Sequence, residues 1–208
     1  MRTITKNIYT FDELSDEAKE RAIENYRALG VPFAWQDEAI ASIKAIADVL
    51  NCSYSWYSYD GVDYTVYLEP EDNWRYDDTD ITELEGRRAW AYIENNFISR
   101  AERPKTYYLN HVIYCDGRKN WSRKSKINYT INDCPFTGYC MDCCFSEAWR
   151  DWKKTFNKYS TVGSFIEFVA ENLGADWTAD NEYQNSDEGI IEIFECNNYE
   201  FTEDGDIY

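Results

Sequence analysis

Beyond Lys158 the chain contains no lysine or arginine, although fifty residues remain. Thirteen Asp and Glu fill that tail, so residues 159–208 carry about −13 of a net −18. Histidine is nearly absent as well, His111 being the only one. A single imidazole leaves little room for catalytic triads, histidine-rich metal sites and most histidine-based acid–base schemes, and it reads as a structural residue at a strand end. The sequence has no G-x-S-x-G, no phosphate-binding glycine loop and no H-E-x-x-H, which removes the commonest hydrolase and nucleotide-binding signatures. No run approaches the ~18 apolar residues of a membrane span, and the opening Met1–Asn7 has no apolar stretch of signal-peptide length. The expectation is a cytosolic protein. Seven cysteines, an odd number, then fit reduced thiols better than a disulfide framework, and the sequons at Asn51, Asn120 and Asn128 are chance matches. Neither an internal repeat nor a low-complexity linker is present, so a single α+β domain over 1–208 is the economical reading.

What the chain does have is segregated charge. A second acidic stretch, Asp60 to Glu85, holds ten acids against one arginine. Between the two lies a basic island, Arg100 to Lys126, with eight Lys/Arg against two acids. Such an excess disfavours ordinary DNA and anionic membranes, because each phosphate contact wants a cation, and it favours a basic partner. The plainer alternative is a solubilising surface. Aromatic content is high at 17%, with eighteen Tyr and eight Trp. Most of these rings are expected to close a core, but Tyr and Trp also serve as rigid anchors at interfaces.

The pattern along the chain gives the elements. Residues 3–9 alternate loosely as a short strand. Thr10 to Glu13 is a capping box that opens a helix with Leu14, Ala18, Ala22, Ile23 and Tyr26 on one face, stopped by Gly30 and Pro32. A second helix runs from about Trp35 to Leu50, completing a helical hairpin. Period two follows in Ser53–Tyr59 and Val62–Leu68 around a two-residue Asp60-Gly61 turn. Pro70–Asp80 reads as an acidic loop, 81–99 as helix, and 107–131 as strand and basic loop. Further helices are expected at 142–158, at 161–173 with Thr161 as cap and Gly174 as stop, and after Ser186-Asp187-Glu188. Asp204-Gly205 marks a turn. The fold class is α+β: a helical hairpin, a small antiparallel sheet and C-terminal helices.

Three constellations could carry chemistry. Cys140-x-x-Cys143 has thiolate-ligand spacing, and a zinc site would recruit Cys115, Cys134, Cys140 and Cys143. However, 134 to 140 is not a standard knuckle spacing, and plain buried cysteines are the simpler reading. No cofactor is expected. Asp77, Asp78 and Asp80 lack the glycine and distal glutamate of a calcium loop and read as a solvated face. Arg118–Lys126 interleaves cations with Trp121, which could grip phosphates and stack a base, or could contact the chain's own acids within one molecule or across a homo-oligomer. Direct nucleic-acid binding runs against the net charge.

The acidic stretches offer a definite physical option. Duplex DNA presents one charge per ~1.7 Å of axis and a helix rises ~1.5 Å per residue, so carboxylates along helix and loop can imitate a phosphate track. The candidate partner-binding residues are Glu69, Glu71, Asp72, Asp77, Asp78 and Asp80 in the first stretch, and Asp187, Glu188, Glu192 and Glu195 in the last. No catalytic residue is assigned.

Tyr9–Arg27 (YTFDELSDEAKERAIENYR) resembles the start of a family of small, acidic phage- and prophage-encoded proteins. Cys134–Cys140 (CPFTGYC) and Asn198–Gly205 (NYEFTEDG) are similar to that family's later motifs, whereas the adjacent Cys143 and Cys144 are not part of its pattern. The family carries no assigned activity, so the resemblance implies origin rather than chemistry. Acidic phage proteins of this size include inhibitors of host defence, anti-CRISPR proteins among them. The resemblance in kind implies a non-enzymatic inhibitor of a basic host nucleic-acid-binding protein, such as an RNA-guided nuclease, in the bacterial cytosol. The rivals are a Cys-centred metal protein or enzyme and a nucleic-acid-binding regulator using 118–126.

Overall fold

The computed structural model describes residues 7–30, 33–71, 75–76, 79–99, 101, 136–137 and 140–208. The basic island at 100–126, apart from Ala101, and the strands expected within 107–131 lie outside these residues. The architecture is mixed α+β, with two N-terminal helices, a two-strand antiparallel hairpin and further helices in the C-terminal half. By packing, the chain divides into an end unit, Met1–Trp35 with Thr178–Tyr208, and a middle unit, Gln36–Trp177.

In the end unit, α1 (Asp16–Leu29) packs against α6 (Asp187–Cys196). The first helix starts later than its capping box suggests. Glu13 does accept from the Thr10 N–H at 2.9 Å, but the box closes a 3-10 turn over Phe11–Glu13. Leu14 is then extended and buried, which breaks the helical path, and Ser15 caps α1 by accepting from the Ala18 N–H at 3.3 Å. Those hydrogen bonds from Thr10 hold the Glu13 carboxyl below its ordinary value. Phe11, Leu14, Ala18, Ala22 and Ile23 meet Ile190, Phe194 and Phe201 in one core. Phe194 is its centre, with ring centroids of Phe11, Tyr26, Tyr199 and Phe201 all within 5.0–5.6 Å. Of the strand expected at 3–9, residues 3–6 lie outside the described part, and Tyr9 forms a single antiparallel bridge to Phe201. The C-terminal turn requires its glycine: Gly205 has φ +88°, and a Cβ there would sit 2.2 Å from the Ala18 carbonyl oxygen.

The middle unit contains most of α2 (Phe33–Leu50), strands β1 (Cys52–Tyr59) and β2 (Asp63–Pro70), and α3 (Gly86–Tyr92), which continues as a π-helical segment over Ile93–Ile98. It also contains α4 (Cys143–Thr155) and most of α5 (Val162–Asn185). The turn joining β1 and β2 is one residue longer than expected, because Tyr59 pairs with Asp63. Asp60 and Gly61 both take left-handed φ, 54° and 72°, as a primed turn demands. The expected acidic loop contains a minimal hairpin, β3 (Arg75–Tyr76) with β4 (Thr79–Asp80).

Two further helix boundaries differ from the sequence reading, each because distant backbone packs against it. Instead of one helix over 81–99, a 3-10 turn Ile81–Glu83 is followed by a break, because Glu85 bridges Thr161 and Gly86 N–H donates to the Ser160 carbonyl at 2.9 Å. Nor does Gly174 stop a helix; α5 runs through it to Asn185. A Cβ at 174 would meet the Tyr64 carbonyl oxygen at 2.8 Å, so the glycine permits close approach of β2. That approach stacks Tyr64 on Trp177, centroids 4.2 Å apart at 13°, with Trp56 tilted against the same indole at 5.1 Å.

Candidate interaction surfaces

Helix α6 follows the expected signature closely. Ser186 Oγ accepts from the Gly189 N–H at 3.0 Å, and Asp187 and Glu188 occupy the first turn, where the helix dipole favours anions. Ile190 and Phe194 face the core, which leaves Glu188, Glu192 and Glu195, spaced i, i+4, i+7, exposed on one face. Asp187 differs from the other three: its carboxylate is paired with Arg27, whose Nε also donates to the Asn185 carbonyl at 2.9 Å. Among the described residues no Lys or Arg lies within ion-pair distance of Glu188, Glu192 or Glu195. Glu192 accepts from the Tyr183 hydroxyl. That bond, followed by desolvation and the charges of Glu192 and Glu188, pushes the Tyr183 phenol up to about 12.

Apart from the first-turn position of Glu188 and the hydrogen bond of Glu192 to Tyr183, this row works against the helix. Like charges at i, i+4 destabilise a helix by about 0.2–0.5 kcal/mol, and an acid in the last turn opposes the dipole by about 0.3–1 kcal/mol. The last turn of α6 contains Glu195 and no basic residue. Three carboxylates over about 10 Å of axis are spaced more widely than the ~3.4 Å per phosphate of a single nucleic-acid strand, yet on a similar scale.

The first acidic group belongs to the middle unit. Glu69 and Glu71 are exposed at the end of β2 and just beyond it. Asp80 is exposed but locally committed, its carboxylate accepting from the Thr82 N–H at 2.9 Å and the Thr82 hydroxyl at 2.7 Å. Asp72, Asp77 and Asp78 lie outside the described residues. The structure therefore brings Glu188, Glu192 and Glu195 into a row on α6; Glu69, Glu71 and Asp80 belong to the other unit.

Of the proposed cysteine ligands, Cys115 and Cys134 lie outside the described residues; Cys140 opens a 3-10 turn over Cys140–Asp142, and Cys143 is half-buried. Among the described residues no group of His, Cys, Asp and Glu is arranged to hold a metal ion. Cys144 is buried and donates to Asp176 Oδ2 at 2.6 Å; burial first, then this carboxylate, pushes its thiol well up. A thiol so protonated is a poor nucleophile. The described part of the CPFTGYC motif has a structural partner that the sequence reading missed. Asp142, fully buried, accepts from the Phe136 N–H at 2.9 Å, the Thr137 N–H at 2.6 Å and the Thr137 hydroxyl at 2.8 Å. Thr137 Oγ1 also shares a hydrogen bond with buried Ser42 at 3.1 Å. An aspartate at a helix start normally signals a forward cap; here it reaches back.

A basic cluster also escaped the sequence reading, because its members are spread over seventy residues. Arg87 and Arg88 on α3, with Arg150, Lys153, Lys154 and Lys158 on and after α4, are all exposed. Gly86 abuts the Lys158 backbone, which brings the start of α3 against the end of this stretch. Lys153 lies 5.0 Å from the Trp149 ring centroid and Lys158 lies 4.6 Å from that of Tyr159. Lys154 is paired with Asp151 at 2.5 Å.

No helix among the described residues is long and apolar enough to cross a membrane. Compared with protein-family models, curated proteins and solved structures, the chain has no significant match in any of the three.

Proposed function

We propose that this chain works by binding rather than catalysis. It is read as a phage or mobile-element inhibitor that sets the α6 carboxylates against the cationic nucleic-acid surface of a bacterial defence nuclease, an RNA-guided one being the best fit, in the host cytosol. One observation carries the reading: Glu188, Glu192 and Glu195 form an exposed row to which no cation is paired among the described residues, with like charges at i, i+4 and an acid in the last turn that disfavour the helix. Long-range attraction would steer such a row toward a basic groove. The experiment is inhibition of DNA cleavage by a panel of purified RNA-guided nucleases. The native chain should suppress cleavage by at least one of them near stoichiometry, and Glu188→Gln/Glu192→Gln/Glu195→Gln should weaken suppression about tenfold or more. Equal potency of the two chains would refute mimicry by α6.

A second reading has its own observation. Arg87, Arg88, Arg150, Lys153 and Lys158 beside Trp149 and Tyr159 form a surface suited to a nucleic-acid backbone with stacked bases. A gel shift with single-stranded DNA that disappears on Arg150→Glu/Lys153→Glu would favour a nucleic-acid-binding regulator instead.

A further inference from the structure

The register of the β1–β2 hairpin sorts its side chains onto two faces. Cys52, Trp56 and Ser58 lie opposite Pro70, Val66 and Tyr64 on the face that carries the buried Tyr64, Val66 and Leu68. On the other face Ser53, Ser55, Tyr57 and Tyr59 lie opposite Glu69, Tyr67, Thr65 and Asp63. Three tyrosines dominate that outer face, with Tyr57 53%, Tyr59 62% and Tyr67 50% exposed. Single exposed rings are ordinary, but three on one short face exceed what a solvated strand needs. None of the three has a ring contact among the described residues, and about half or more of each side chain is exposed.

The charge of the hairpin itself has one sign. From Ala45 to Trp74 there is no Lys or Arg, and Asp60, Asp63, Glu69 and Glu71 are all exposed. Tyrosine with serine and threonine is a composition suited to recognition, since a rigid amphipathic ring gives contact area at small entropic cost. Four carboxylates with no ion pair among the described residues repel a nucleic-acid strand that would otherwise stack on the rings. They attract cations. A guanidinium can lie flat on a tyrosine while its edge bonds a carboxylate through two N–H groups; an ammonium can touch both but has no planar face to stack and no fork for a bidentate bond.

We propose that the outer face of the β1–β2 hairpin is a docking surface for an arginine-rich segment of a protein partner, with Tyr57, Tyr59 and Tyr67 stacking guanidinium groups and Asp63 and Glu69 holding their edges. This rests on the reading of the chain as a binder of cationic proteins, and adds which cation is selected and where.

The test uses the full chain and two fluorescent peptides of equal charge, nona-arginine and nona-lysine, with oligo-dT as a third probe, by anisotropy at near-physiological salt. Nona-arginine should bind about fivefold or more tighter than nona-lysine. Tyr57→Thr/Tyr67→Thr, which keeps strand propensity, should cut that ratio below about twofold and leave charge-driven binding of both peptides in place. Asp63→Asn/Glu69→Gln, which spares the rings and keeps the inference testable should the tyrosine variant misfold, should lower the ratio as well. The α6 glutamine variant should weaken both peptides alike and preserve the ratio. Equal binding of the two peptides to the native chain would overturn the inference, as would a ratio unmoved by the tyrosine or carboxylate changes, or oligo-dT binding that requires the tyrosines. A ratio near one with nuclease inhibition intact removes this inference alone; a preserved ratio with no nuclease inhibited removes the nuclease reading alone.

Discussion

The end unit and the middle unit hold their charge in different ways. The end unit has 16 Asp/Glu against 5 Lys/Arg in 66 residues, a net −11, while the middle unit has 23 against 16 in 142 residues, a net −7. In the end unit the described cations already have partners: Arg21 sits 3.7 Å from Asp204, Arg27 pairs with Asp187, and Lys19 lies 5.8 Å from the Phe11 ring. The carboxylates left over, on α6 above all, face solvent. In the middle unit most described cations lie on α3 and around α4, some beside aromatic rings, Lys44 stands exposed on α2, and the β1–β2 hairpin carries none. The anionic excess is thus concentrated in the unit made from the two chain ends.

The sharpest way to break this division is to damage one core and watch the other. Phe194→Ala empties the centre of the end unit and should cost about 3–5 kcal/mol, and Phe165→Ala, fully buried in the middle unit, should cost a similar amount. Seven of the eight tryptophans lie in the middle unit, so their fluorescence reports on it. If 1–208 is one cooperative domain, Phe194→Ala lowers the fluorescence and circular-dichroism midpoints together. A fluorescence midpoint that stays in place would make the units independent.

A smaller effect contrasts a buried carboxylate with a surface one. Asp142→Asn puts an amide where two backbone N–H groups and a hydroxyl donate, and should cost about 2–4 kcal/mol in chemical denaturation. Asp187→Asn loses its exposed ion pair with Arg27 and its charge in the first turn of α6, each worth at most about 1 kcal/mol. Equal costs would contradict the account of the 136–142 loop.

The smallest effect is electrostatic. The Tyr183 phenol is raised above its unfolded value of about 10, so its stabilising contribution is complete below pH ~10 and is lost as pH climbs through about 12. Site-resolved carbon NMR of labelled tyrosine should show the late titration, and Glu192→Gln should bring it back toward 10. An unshifted Tyr183 in the native chain would mean that the α6 field is weaker than described.

Much of this fold was legible because local signals agreed with packing. The i, i+3, i+4 stripe of α1, the alternation of Val62–Leu68 and the Ser186-Asp187-Glu188 start of α6 each needed only nearby residues to be read correctly. The failures came where distant backbone decided the outcome. Gly174 has the look of a stop, but β2 lies against it and the helix continues; the break at Leu84–Glu85 is imposed by pairing with Ser160–Val162. The α6 row could be foreseen from spacing alone. The open tyrosine face could not, since it depends on a register that pairs Tyr57 with Thr65 and Tyr67 with Ser55. Likewise the Arg87–Lys158 cluster is a product of contacts far apart in the chain, whereas Asp142 was missed because it reaches back five and six residues instead of capping forward.

The most direct measurement of the central claim is the salt dependence of binding to an inhibited nuclease, by calorimetry, for the native chain and for Glu188→Gln/Glu192→Gln/Glu195→Gln. Between about 50 and 200 mM salt the native affinity should fall steeply, the variant's should fall less, and the two should converge at the high end. Curves of equal slope, with the variant as tight as the native chain throughout, would contradict the claim that this row of carboxylates meets a cationic groove.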